Sequence, residues 1–291
     1  MSAASGPVGE TWEPSVRELE RRAVRRARAR RDILVATGAL VVVLGLLVVG
    51  VTSAPGWPRV HQLFFNWGVV KGSFPHVIKG FGKNVVIFLV AEPCILVVGA
   101  GVAVLRSTTA AVLLPFRVLA VVYADVFRGI PTILLVYLAG LGVPALELRG
   151  LTTNTLWLGT GALVASYGAY VSEVFRAGIV SIHPSQLASA DTLGLSRWQS
   201  MVHVILPQAT RRVAPPLLND FISLQKDSAL LSVIFVFEAM FSAQDYQNYH
   251  FNYTPLVVAA VLFICLTIPL TRFTDWLGNR MLRREFAGVV K

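Results

Sequence analysis

Several stretches of this chain carry no charged residue over a length sufficient to cross a lipid bilayer. The clearest runs from Ile33 to Thr52, twenty residues without Asp, Glu, Lys or Arg. At about 1.5 Å per residue, a helix of that length matches a hydrocarbon core roughly 30 Å thick. Backbone N–H and C=O groups inside a bilayer must form hydrogen bonds within the protein, and a long apolar segment can do so by folding as an α-helix. This feature predicts an all-α integral membrane protein.

The composition supports the same class. Hydrophobic residues make up 55% of the chain and charged residues 14%, with a mean hydropathy of +0.64, a balance that soluble domains do not show. Five further apolar stretches follow the first. They are approximately residues 84–105, 110–146 with interruptions, 156–182, 213–243 with interruptions, and 254–277. The sequence therefore predicts about six transmembrane helices.

Positive residues predict the orientation of these helices. Eight arginines lie between Arg17 and Arg31, directly before the first span. Four more positive residues follow the last span: Arg280, Arg283, Arg284 and Lys291. The positive-inside rule places both termini in the cytoplasm, as an even number of spans requires. Arg106 and residues 184–207 then lie inside, whereas residues 61–83 and 147–154 lie outside, where Lys71, Lys79 and Lys83 run against the rule.

The domain organisation follows from these spans. It comprises a cytoplasmic basic tail (1–32), a first transmembrane helix (33–52), an extracytoplasmic connection (53–83), a membrane core (84–279) and a cytoplasmic C-terminal tail (280–291). The basic tail could instead suggest a nucleic-acid arm or a secretory signal. Positive residues beside a span are the expected topology signal, so no nucleic-acid partner is predicted. The apolar segment is longer than an ordinary signal peptide core, and no small-residue cleavage site follows it.

A polar insert, residues 184–207, separates two strongly apolar regions. Pro184 suits a first helical turn, Gly194 suits the left-handed residue after a helix, and Ser196 with Gln199 forms a capping box. The insert therefore predicts two short helices hinged at Gly194. On the second helix, a 3.6-residue period places four apolar residues on one face: Trp198, Met201, Val202 and Ile205. This face can bury against a protein, whereas Ser200 lies elsewhere on the helix surface.

Ionisable residues within the spans are Glu92, Arg117, Asp125, Arg128, Glu173, Arg176, Lys226, Asp227 and Glu238. Each costs about 2.5 to 3.5 kcal/mol at a helix centre, so we expect them to face protein, water or the interface. Glu173 and Arg176 are three residues apart and can pair on one helix face. For each, structural pairing and ligand contact remain alternatives.

Motifs of catalysis are missing from the sequence. It contains no GxxxxGK[ST] phosphate loop, no HExxH and no Gly-x-Ser-x-Gly elbow. The five histidines are scattered, and Cys94 and Cys265 both fall within predicted spans. The sequence therefore predicts a non-enzyme with no catalytic residues, no metal site, no disulfide and no nucleotide hydrolysis of its own.

The insert resembles the cytoplasmic coupling motif of the permease subunits of type I ABC importers, a pattern of Glu-Ala-Ala, three residues, Gly, about nine to ten residues, then Ile-x-Leu-Pro or a close variant. Here it reads Ala188-Ser189-Ala190, Gly194 and Ile205-Leu206-Pro207. Three further stretches are similar to the polar amino-acid (His/Glu/Gln/Arg) branch of that family: residues 126–131 (VFRGIP), 170–179 (YVSEVFRAGI) and 221–230 (FISLQKDSAL). The likeness covers roughly residues 66–285. Ala188 stands where the family has an acidic residue, and residues 33–52 resemble an N-terminal helix added to a five-helix permease core.

This resemblance implies a bacterial-type plasma-membrane permease in an ATP-driven amino-acid importer, with glutamate or glutamine as solute. The implied partners are two cytoplasmic ABC ATPase subunits, a second permease of the same or a different sequence, an extracytoplasmic solute-binding protein and membrane lipid. ATP and Mg²⁺ would bind on the ATPases, and no cofactor is expected in this chain. The residues implied for ATPase coupling are Ala188, Ser189, Ala190, Asp191, Gly194 and Pro207.

A substrate pathway near the midplane is expected along the segment that contains Asn219, Gln225, Lys226, Asp227, Ser228 and Glu238. Arg128, Glu173 and Arg176 are expected to be structural or to line the pathway. Two other functions are weighed against this one. An ion-coupled secondary carrier would use carboxylates such as Glu92 and Glu238, and ideally an inverted repeat, which the sequence lacks. A membrane anchor would not need polar residues within its spans.

Overall fold

A computed structural model describes residues 15–108 and 110–287, and all the regular structure in these ranges is helical. The α-helices are α1 (Val16–Thr52), α2 (Trp57–Phe64), α3 (Trp67–Ser107), α4 (Leu114–Gly129), α5 (Thr132–Tyr137), α6 (Val143–Ala145), α7 (Thr155–Val180), α8 (Pro184–Thr192), α9 (Arg197–Ser200), α10 (Leu206–Asp227), α11 (Ala239–His250) and α12 (Thr254–Ala287). Short 3₁₀ turns cover Ala111–Leu113 and Ser228–Ile234, and π turns cover Leu138–Gly142 and Met201–Ile205. The predicted all-α fold is confirmed.

The chain divides into two compact units, residues 1–62 and 63–291. In the first unit, α1 begins at Val16, within the predicted basic tail, because Ser15 caps it by accepting a hydrogen bond from Glu18 N at 3.4 Å. Arg25 pairs with Glu18 at 3.2 Å on the same helix, and arginine and glutamate are good helix formers. Residues 1–14 of that tail and Lys291 lie outside the described residues.

In the second unit, α3 begins at Trp67, well before the predicted start of a span at residue 84. Asn66 caps the helix by accepting hydrogen bonds from Gly68 N at 3.0 Å and Val69 N at 3.3 Å. Asn66 N in turn donates to Thr254 Oγ1 at 3.1 Å, which joins the starts of α3 and α12. Much of the predicted extracytoplasmic connection is therefore helical. At the other end, α12 continues into the predicted C-terminal tail.

The stretch predicted at residues 110–146 is not one straight span. Its two halves, Ala111–Gly129 and Thr132–Ala145, meet at an angle of 104°, because Pro131 follows Ile130, whose backbone is extended. A second bent pair, Trp198–Ile234 and Ala239–His250, turns by 45°. In the described part of the chain, three helices are long and apolar enough to cross a membrane, or five if each bent pair is one span.

The remaining predicted span corresponds to α7, which lies inside the fold. It packs against α3, α4, α5 and α10, and its buried residues include Gly168, Ser166 and Ser172. A Cβ at Gly168 would lie 2.9 Å from Val98 Cγ1 of α3, so glycine permits the close approach of the two helices. The main core surrounds α7 and contains Ile87, Ile95, Leu135, Val136, Leu163, Val171, Leu224, Leu231 and Ile234.

Candidate coupling segment and polar interior

The predicted hinge of the polar insert is present. After α8, Gly194 adopts φ +74°, and Leu195 N donates to Ala190 O at 3.1 Å across it. Ser196 N donates to Gln199 Oε1 at 2.9 Å, and Gln199 N donates to Ser196 Oγ at 3.3 Å. The capping box and the left-handed residue are both confirmed. The turn therefore stands between two helices whose ends are independently capped.

The second helix of the insert differs from its predicted form. It does not end near Pro207 but runs from α9 through the π turn at residues 201–205 into α10. Trp198, predicted on the face that can bury against a protein, is 75% exposed and available for such a contact, whereas Ser200, predicted elsewhere on the helix surface, is fully buried. An extra residue in a π turn changes the angular phase of a helix, so the face that a uniform 3.6-residue period predicts divides here into the exposed Trp198 and the buried Ile205.

The six predicted coupling residues divide by exposure. Ala190 is only 2% exposed, so its side chain contributes to packing rather than to a surface. The other five are exposed: Ala188, Ser189, Asp191, Gly194 and Pro207. Two apolar side chains that the prediction did not assign to this surface accompany them, Leu193 at 78% and Trp198 at 75% exposure. Large exposed apolar side chains in a polar segment are typical of a protein contact.

The interior of the second unit contains a buried polar network centred on Asn84 of α3. Asn84 Nδ2 donates to Ser228 Oγ at 3.0 Å and to Glu238 Oε2 at 2.9 Å, and Ala239 N donates to Asn84 Oδ1 at 2.9 Å. Glu238 also caps α11, accepting from Met240 N at 2.9 Å and from Phe241 N at 2.8 Å. Of the predicted pathway residues, Ser228 and Glu238 therefore have structural partners.

The other four predicted pathway residues lie on α10. Asp227 accepts a hydrogen bond from Tyr167 Oη at 2.8 Å. Gln225 is buried and accepts from Thr267 Oγ1 at 2.9 Å, while its Nε2 has no hydrogen-bond partner among the described residues. Asn219 and Lys226 are exposed. The structure thus places these residues on different faces of one helix.

Sequence reasoning did not identify Asn84, Tyr167 or Thr267 as partners of the predicted residues. The available signal was an uncharged amide or hydroxyl within an apolar stretch, since such groups join helices through hydrogen bonds inside a membrane. The predicted pathway residues all came from one segment of the chain, so their partners on α3, α7 and α12 were missed.

Glu173 of α7 forms ion pairs with three arginines, one from each of three helices. Its carboxylate lies 2.9 Å from Arg106 Nη1 of α3 and 3.7 Å from Arg128 Nη1 of α4, and it pairs closely with Arg176 of α7. The predicted pairing of Glu173 with Arg176 is present. The network fastens α3, α4 and α7 together near one end of the bundle.

A cavity of about 300 Å³ opens between α3 and α11, at the end that the positive residues predict to be extracytoplasmic. Its lining includes both charged and aromatic side chains and consists of His76, Lys79, Gly80, Lys83, Phe237, Ser242, Asp245 and Tyr246. It brings lysine ammonium groups and a carboxylate to one recess. None of these residues was predicted as a site.

Comparison with known proteins agrees with this architecture. Residues 108–283 match the family described as the inner membrane component of binding-protein-dependent transport systems. The chain is 31% identical over 217 residues to the probable glutamine ABC transporter permease GlnM of Bacillus subtilis, covering 74% of this chain and 98% of that protein. It is also 31% identical over 198 residues to the arginine transport system permease ArtQ of Bacillus subtilis, covering 68% and 88%.

Solved structures show the same fold. A crystal structure of an amino acid ABC transporter with histidines matches with a TM-score of 0.65 and 27% identity, covering 71% of this chain and 94% of that one. A structure of the inward-facing MetNI methionine ABC transporter matches in fold alone, at 17% identity and a TM-score of 0.57. The match to an ABC permease family favours ATP-driven transport over an ion-coupled carrier. The chain therefore belongs to the family of inner-membrane components of binding-protein-dependent transport systems, as a multi-pass permease subunit of a type I ABC importer.

Proposed function

We propose that this chain forms the membrane pathway of an ATP-driven amino-acid importer and that its solute is glutamine or glutamate. The names of the similar permeases support an amino acid, since one is named for glutamine and another for arginine. The chemistry of the interior supports it as well. A zwitterion needs donors for its carboxylate and acceptors for its ammonium group, held where water is scarce.

One observation carries the proposal. A single helical run from Arg197 to Asp227 joins the exposed coupling segment to the polar residues of α10. Along α10, five residues follow the alternating spacing of four and three that keeps side chains on one face, and all are exposed or half-buried: Arg212, Pro216, Asn219, Ser223 and Lys226. We call this face the α10 stripe. A lysine in a membrane-spanning helix needs water or a protein partner, and a pathway between two permeases provides both.

The proposed mechanism is a shift of population between two states. ATP and Mg²⁺ bind to two partner ATPases, whose closure moves the exposed surface of Ser189, Asp191 and Leu193. Because α8 packs against α9 and the π turn that lead into α10, and Gln208 Nε2 of α10 donates to Gln186 Oε1 of α8 at 3.3 Å, its movement would reorient the α10 stripe relative to a second permease. ATP drives the change only through its different affinity for the two states.

Within the proposed pathway, Lys226 would receive the solute carboxylate, and Asn219 and Gln225 would bind through their amides. Asp227, held by Tyr167, would accept from the ammonium group. Ser228 and Glu238 would support these residues through Asn84. The α3–α11 cavity, with Lys79 and Lys83, would lie on the side where an extracytoplasmic binding protein delivers solute. In this proposal, both termini lie in the cytoplasm.

The test is uptake into proteoliposomes containing this permease, its ATPase, its second permease and the binding protein. Lys226→Met is expected to lower glutamine uptake at least tenfold, as loss of a charge-assisted hydrogen bond costs about 1.5 to 3 kcal/mol, while ATPase subunits still co-purify. Lys226→Arg keeps the charge and retains more uptake. Lys71→Met, an exposed lysine of α3, serves as the control and keeps full uptake. Uptake that needs an ion gradient and no ATPase contradicts the proposal.

A further inference from the structure

A second cavity lies along α4, between the ends of α3 and α7. It measures about 400 Å³ and is lined by Arg106, Leu114, Arg117, Val118, Val121, Val122 and Arg176. No acidic side chain lines it. Three guanidinium groups and a wall of apolar side chains therefore share one recess, an arrangement suited to a ligand with an anionic head and an apolar tail.

The positive charge in this cavity is only partly neutralised. The carboxylate of Glu173 pairs with Arg106 and Arg176, and also with Arg128. Arg117 forms no ion pair within the described part of the chain. Its Nη1 donates a hydrogen bond to Thr108 O at 3.2 Å. Most of the donors of a guanidinium group, which presents five N–H bonds, thus remain available at Arg117. A phosphate accepts such donors in pairs.

The apolar wall is open to the surroundings. Leu114, Val118 and Val122 recur at four-residue intervals on α4 and are 48%, 52% and 51% exposed. Arg117 lies one turn from Val121 on the same side of the helix. In a membrane-spanning helix, an exposed apolar face can contact a lipid acyl chain, and a cluster of arginines beside it can bind the anionic headgroup of the same lipid.

The position along the bundle agrees with a headgroup. Arg106 lies in the last turn of α3, Arg176 near the end of α7, and Arg117 in the first turn of α4. The ion pair between Arg106 and Glu173 holds two of these helix ends together. The cavity therefore lies at one end of the bundle, at the level of a membrane interface rather than at its midplane.

We propose that this cavity binds the phosphate headgroup of an anionic membrane phospholipid, with Arg117 as the principal donor and an acyl chain along Val118 and Val122. This site is independent of the amino-acid pathway. A free phosphate would use the arginines alone, whereas a lipid also needs the valine face, so the two ligands can be distinguished.

The experiment uses the full-length chain with the partners that co-purify, in mild detergent. Native mass spectrometry counts retained lipid while phosphatidylglycerol, neutral diacylglycerol or inorganic phosphate is titrated. Wild type is expected to retain phosphatidylglycerol and not diacylglycerol. Arg117→Gln should weaken retention about tenfold, in line with loss of one charge-assisted contact, and Arg117→Lys should weaken it less. Arg272→Gln, an exposed arginine on α12, should change nothing.

Val118→Asn decides the source of the phosphate and leaves every arginine in place. It is expected to weaken lipid retention without changing the response to inorganic phosphate, and it decides the proposal if Arg117→Gln fails to fold. Equal retention in wild type, Arg117→Gln and Val118→Asn overturns the proposal. So does displacement of lipid by millimolar inorganic phosphate, which would show a soluble-anion site, or loss of lipid whenever a second permease is bound, which would show a subunit interface.

Discussion

At the scale of single residues, Asn84 connects three parts of the second unit. Its amide nitrogen donates to Ser228 and Glu238, and its amide oxygen accepts from Ala239 N. Asn84→Leu keeps the volume but leaves a buried carboxylate and a backbone N–H short of partners, so we expect a loss of about 3 kcal/mol of folding stability. Equilibrium unfolding in detergent measures this. Asn248→Leu, an exposed amide on α11, should cost under about 0.5 kcal/mol. Equal stability of both variants would contradict a structural role for Asn84.

The residues that sequence reasoning could identify were those whose signal is local. Gly194, Ser196 and Gln199 act within a few residues of one another, and their turn and capping box are as predicted. The partner of Asp227 is Tyr167 on another helix. Nothing in the spacing of one chain segment specifies such a contact, because it depends on how α7 and α10 pack.

At the scale of helices, the approach of α3 to α11 depends on Gly80. A Cβ there would lie 2.7 Å from the backbone C and O atoms of Glu238, whereas a Cβ at Gly82 would have no atom within 4 Å. Gly80→Ala must displace backbone rather than a flexible side chain, so we expect a lower melting temperature and weaker assembly. Gly82→Ala, two residues along the same helix, should be neutral or more stable by up to about 1 kcal/mol. Thermal unfolding of the two variants side by side tests this, and equal melting temperatures would count against close packing here.

The hinge between α8 and α9 gives a second prediction at this scale. Gly194 has φ +74° and open space around it, so Gly194→Val strains the backbone without a clash, at a cost of about 1 to 2 kcal/mol or more. We expect the ATPase to remain bound but its hydrolysis to lose stimulation by solute. Gly150→Val, at φ +88° in the loop before α7, imposes the same kind of strain elsewhere and should preserve coupling. Solute-stimulated ATPase activity distinguishes them, and normal coupling in Gly194→Val would remove the hinge from the mechanism.

Helix positions were more predictable than helix ends. An apolar stretch predicts a span, but the start of α3 at Trp67 depends on the cap from Asn66 and its bond to Thr254, a contact between distant segments. The continuation of α9 into α10 was missed for another reason. The π turn at residues 201–205 has no period of its own in the sequence, so the second half of the insert was read as a separate helix.

At the scale of the whole molecule, charge indicates which end of the bundle faces the cytoplasm. The positive-inside rule predicts a cytoplasmic position for the arginines between residues 17 and 31, for those after the last span and for Arg106, whereas Lys71, Lys79 and Lys83 of α3 run against it. The orientation can be measured directly, because Leu193 and Phe251 are 78% and 85% exposed and are predicted on opposite sides.

In a background with Cys94 and Cys265, both exposed, replaced by serine, single cysteines are introduced as Phe251→Cys or Leu193→Cys. We expect a membrane-impermeant maleimide to label Phe251→Cys in intact cells and Leu193→Cys only after permeabilisation, since the coupling surface must face the ATPases. Uptake by each variant controls for correct insertion. The reverse labelling pattern would place the polar insert outside the cell, where no ATP is available to drive it, and the coupling role of α8 would have to be abandoned together with the orientation.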